Sequence, residues 1–148
     1  MNLADISQGL ADRLLTVDNV RPYQGLVDDV FTGNGIAVLV YPADEWIDYL
    51  QAMRGGLAVT SWIVEPVVQR ANLRASYARM CELVSGGAGE TRSLIDALKP
   101  DSLPQTLGGA CNDVVVRTAS GFTEKVFGQI TYVGCGLAVD VHVSRVHS

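Results

Sequence analysis

From Tyr132 to Ser144 the chain alternates without a break. Val133, Cys135, Leu137, Val139, Val141 and Val143 fall on one side; Tyr132, Gly134, Gly136, Ala138, Asp140, His142 and Ser144 fall on the other. A period of two marks a β-strand with one buried face. A helix would scatter the same valines around its whole surface. Upstream the phase is opposite: Val126, Ile130 and Tyr132 are apolar, Gln129 and Thr131 polar. A phase slip inside one strand calls for an extra residue or a bend. Gly134 and Gly136 suit a β-bulge or kink there. At about 3.3 Å per residue, Ile130 to Ser144 would span roughly 50 Å, long for a small domain.

The rest of the chain supplies what this strand packs on. Leu3, Ile6, Leu10, Leu14 and Val17 recur at threes and fours, so residues 2–17 read as an amphipathic helix. Asn2 can cap it, and Asp5 faces its positive end. Gly9 costs that helix about 1 kcal/mol against Ala, so packing must hold it. Val20 to Tyr23 reads as a short edge strand, because Pro22 cannot donate to a ladder. Gly25 to Gly35 reads as a loop. Ile36 to Tyr41 is apolar on both faces, which suits a central strand, and Pro42 closes it. Leu57 to Glu65 is a second strand, stopped by Pro66. Gln69 to Val84 is a helix with Leu73, Tyr77, Met80, Cys81 and Val84 on its inner face, ended by Ser85-Gly86-Gly87. Glu90 to Lys99 is a shorter helix, and residues 100–112 a loop. Asp113 to Ala119 is a strand, Ser120-Gly121 begins a turn, and the long strand follows. The predicted fold is α+β: a mainly antiparallel sheet, helices packed on one face, and a long C-terminal β-hairpin.

The 148 residues make one domain, 1–148, long enough to bury a core without staples. No apolar run reaches membrane-spanning length. The acidic N-terminal stretch lacks the basic start of a secretory signal. Three cysteines without metal or redox spacing are expected to be reduced. The formal net charge is −5 and no basic cluster stands out, which argues against gripping nucleic acid.

Catalytic constellations are missing. GGAGET at 86–91 lacks the Lys-Ser/Thr pair of a phosphate loop and follows a helix, so it reads as a helix stop. The two histidines, His142 and His147, lie in no context that activates a thiol. Cys81 and Cys135 fall on predicted core faces and read as small buried apolar residues. No spacing suits a metal, no acid–base pair stands out, and no cofactor is called for. The segment 42–56, PADEWIDYLQAMRGG, is different. Trp46, Tyr49, Met53 and Arg54 are residue types enriched where proteins meet, and they form the candidate interface. Pro42 and Gly55-Gly56 would make its ends hinge-like. A lid on the domain's own core is the alternative.

In pattern across nearly its whole length the chain resembles the tail terminator proteins of long-tailed bacteriophages. The stretches that carry the likeness are ADRLLTVDNVRPY, LAVTSWIVEPVVQRANLRASYARMCELVSGG, SLIDAL and TLGGACNDVVVRTASG with GQITYVGCGLAVDVHV. The resemblance implies a structural virion protein at the head-proximal end of the tail, assembled in the host cytoplasm. It would form a ring, usually a hexamer, that caps the tail tube, stops its polymerisation and presents a joining surface to a head-completion or neck protein. DNA would pass through without specific binding, no membrane would be involved, and no catalytic residue is implied. The alternatives are another neck component, a head-closure or head–tail joining protein, and, further off, a small enzyme.

Overall fold

The computed structural model describes residues 2–25, 36–47, 58–69, 73–87, 89, 91–99, 106–127 and 130–143. In chain order these form α1 (Leu3–Leu14), β1 (Val20–Gln24), β2 (Ile36–Ile47), β3 (Ala58–Gln69), α2 (Leu73–Leu83), α3 (Leu94–Leu98), a 3₁₀ turn (Leu107–Gly109), β4 (Asp113–Phe127) and β5 (Ile130–Val143). The strands make one sheet in the order β1-β2-β3-β5-β4. Among the described residues only the β1–β2 pair is parallel. The fold is therefore α+β with a mainly antiparallel sheet and a long C-terminal hairpin.

One face of the sheet meets the helices. Ile6, Leu10 and Leu14 of α1, Met80 and Leu83 of α2, and Leu94, Ala97 and Leu98 of α3 join the inner residues of the strands in one apolar cluster. From β5 the cluster takes Val133, Cys135, Leu137, Val139, Val141 and Val143, the set that alternates in the sequence. The caps follow local chemistry. Asn2 Oδ1 accepts from Asp5 N at 3.2 Å, and Ser93 caps α3 by accepting from Asp96 N. Because Ser93 sets that start, α3 begins at Leu94, not at Glu90.

The other face carries a smaller apolar cluster: Ala37, Leu39, Val67 and Tyr132, with Tyr23 and Tyr41 beside it. This explains why β2 is apolar on both faces; Ile36 to Val40 are all buried. It also removes the phase slip expected in β5. Tyr132 belongs to the second face, and β5 keeps one register with β3 from Val143 to Tyr132. The bulges lie instead in β4, between Val116 and Thr118 and between Ser120 and Thr123. Gly121, at φ +70°, is inside the second bulge, so Ser120-Gly121 is not a turn. β4 continues to Phe127, which pairs with Ile130.

Neither internal proline ends its strand. Pro42 pairs with Trp62, two residues past Val40, where β1 stops, so β1 needs no N–H from it. Pro66 sits in a central strand opposite Val38. The β3–β5 ladder has a gap between Val64↔Leu137 and Val67↔Gly134, where Pro66 has no N–H to give. Pro22 does lie on an edge strand, as its chemistry requires.

Cys81 is exposed, not core; Cys111 and Cys135 are buried. Among the described side chains of α2, Met80 and Leu83 are buried and Tyr77 and Cys81 face outward. Gly87, at φ +91°, stops the chain beyond α2. Its N–H, at 2.9 Å, and that of Gly89, at 2.7 Å, donate to the Asp96 carboxylate. The glycine loop thus spends its donors on the chain's own acid.

Candidate protein interface

Of the four residues expected at an interface, Trp46 is described and Tyr49, Met53 and Arg54 lie outside the described residues. The loop read at 25–35 and the C-terminal tail with His147 lie outside them too, beyond Gly25 itself. Trp46 is on β2, which runs through Pro42 to Ile47, so the first part of the 42–56 segment is strand and Pro42 is no hinge. The β2–β3 register shifts between Pro42 and Ile47, a bulge that displaces Trp46 from strict alternation. Its ring stands edge-to-face on Trp62, centroids 5.7 Å apart and planes at 83°. Trp62 is buried and Trp46 is 36% exposed, so the core tryptophan holds the surface one.

Further exposed apolar residues lie elsewhere. Phe122 and Val126 on β4, Ile130 at the start of β5, and Tyr77 on α2 are exposed. Tyr77 and Phe122 meet edge-to-face at 5.7 Å, across a groove of about 340 Å³ lined also by Thr123, Glu124 and Val133. Sequence reasoning missed this surface because Phe122 stood just past a supposed turn and Tyr77 on a supposed core face. The available cue was the pair of large apolar residues Phe122 and Val126 beside polar Thr123 and Glu124. Tyr77 and Phe122, exposed and in contact, are the apolar pair that suits a contact surface.

The charged groups between the helices are structural. Glu82 bonds Arg79 and, at 2.6 Å, Arg92. Desolvation raises the Glu82 carboxyl, and the two arginines more than offset this, holding it below its ordinary value. Arg79 also donates to the carbonyls of Asp18 and Arg92, tying α1's exit to α2. On the other sheet face Asp140 accepts from Ser61 Oγ at 2.9 Å and pairs with Arg117 at 2.8 Å. Burial pushes the Cys111 thiol up to about 11, with Asp113 adding to the shift. That is the opposite of an activated nucleophile. Among the described residues no group of three or more His, Cys, Asp or Glu is placed to hold a metal. Among them, too, no helix is long and apolar enough to cross a membrane.

Tyr41 gives a pH signature to the second face. Burial, and then the nearby Glu65 carboxylate, push its phenol up from 10.0 to about 12. Its hydroxyl donates to Glu65 Oε1 at 3.1 Å. A raised folded-state value means the neutral phenol is favoured in the fold. That stability is whole below pH 10 and is lost as pH climbs toward 12. Urea midpoints measured across this range should fall with pH, and Tyr41→Phe should flatten the decline. An unchanged slope in the variant would assign it to other groups.

No protein-family model matches the chain, and no curated protein matches it either.

Proposed function

We propose that this protein is a ring-forming structural component of a long-tailed phage, acting as a tail terminator. The observation that carries the reading is the pattern resemblance along the chain, joined to an α+β domain whose long hairpin bears exposed Phe122, Val126 and Ile130. A domain that works by assembly needs apolar surface left over after its core is filled, and this hairpin has it. The role of such a ring is mechanical: it covers the growing end of the tube, so no further tube subunit can add, and offers its other surface to a neck protein.

The first test is self-association. Light scattering at high concentration, repeated after mixing with tail tubes, should show a closed oligomer in at least the second case. A monomer in both conditions would sink the reading. The second concerns DNA. Six copies at −5 would carry −30 (6 × −5). An acidic ring repels phosphate and lets a genome slide, so no duplex gel shift is expected even at about 50 mM salt, where non-specific contacts are strong. A clear shift there would count against a passive channel.

A further inference from the structure

We draw no further inference here: the strongest candidate, the groove between α2 and β4 where Tyr77 meets Phe122, is an exposed apolar face, and nothing in the structure shows what covers it.

Discussion

Replacing Trp62 with Ala should lower the unfolding free energy by about 3–5 kcal/mol. Trp62 is 3% exposed in the main core and pairs in register with Pro42 on β2 and Val139 on β5. Its indole Nε1 donates to Thr60 Oγ1 at 3.0 Å, and Thr60 is fully buried. Truncation therefore leaves a cavity and takes a partner from a buried hydroxyl. Typical domains are stable by only about 5–15 kcal/mol, so the loss would be a large share. Trp62→Phe fills most of the space and loses mainly the hydrogen bond, on the order of 1 kcal/mol. Urea unfolding followed by circular dichroism separates the two variants. A Trp62→Ala midpoint close to the wild type would mean that the ring is not in the core. The same substitution removes the surface on which Trp46 stands, so Trp46 emission should shift toward that of a solvated indole.

Gly9→Ala should destabilise the protein by up to about 2 kcal/mol, although Ala is the better helix former. Intrinsic propensity favours Ala by about 1 kcal/mol in a helix interior. In the fold, a Cβ at position 9 would lie 2.8 Å from Leu107 Cβ and 3.3 Å from the Leu107 carbonyl oxygen. Leu107 cannot easily yield, because it opens the 3₁₀ turn at φ +50° and is followed by two glycines at positive φ. Overpacking of this kind costs about 1–3 kcal/mol and outweighs the propensity gain. Thermal unfolding reads the net effect. A Tm that rises would show that α1 and the turn are not in close contact. The glycine that weakens the helix in isolation is thus the residue that lets the turn approach it.

Much of the fold was legible because burial writes a period into the sequence. The valines of β5, the α1 series from Ile6 to Leu14, and the two-faced apolar run of β2 all fall where periodicity puts them. The errors share one cause: the effect of a residue on pairing depends on neighbours that sequence does not show. Pro42 and Pro66 read as stops, yet one lies beyond the end of its neighbour and the other spans a gap in the ladder. Ser120-Gly121 has turn chemistry, and a β4 bulge uses the same backbone freedom. Tyr132 imitated a phase slip because the sheet has a second apolar face. Tyr77 and Cys81 sit at helical spacing from Met80 and Val84, one step off the buried stripe. Of the expected interface residues Trp46 alone lies among the described residues, whereas the exposed hairpin groups follow from a β4 that continues past its bulges to Phe127.

In the proposed function, this chain closes into a ring on the end of a tail tube. Negative-stain microscopy of the purified protein, with and without tail tubes, tests it most directly. The expected images show rings seated on one end only of each tube, with tubes that grow no longer once capped. Bare tube ends beside free monomers, or rings that bind only capsids, would contradict the account.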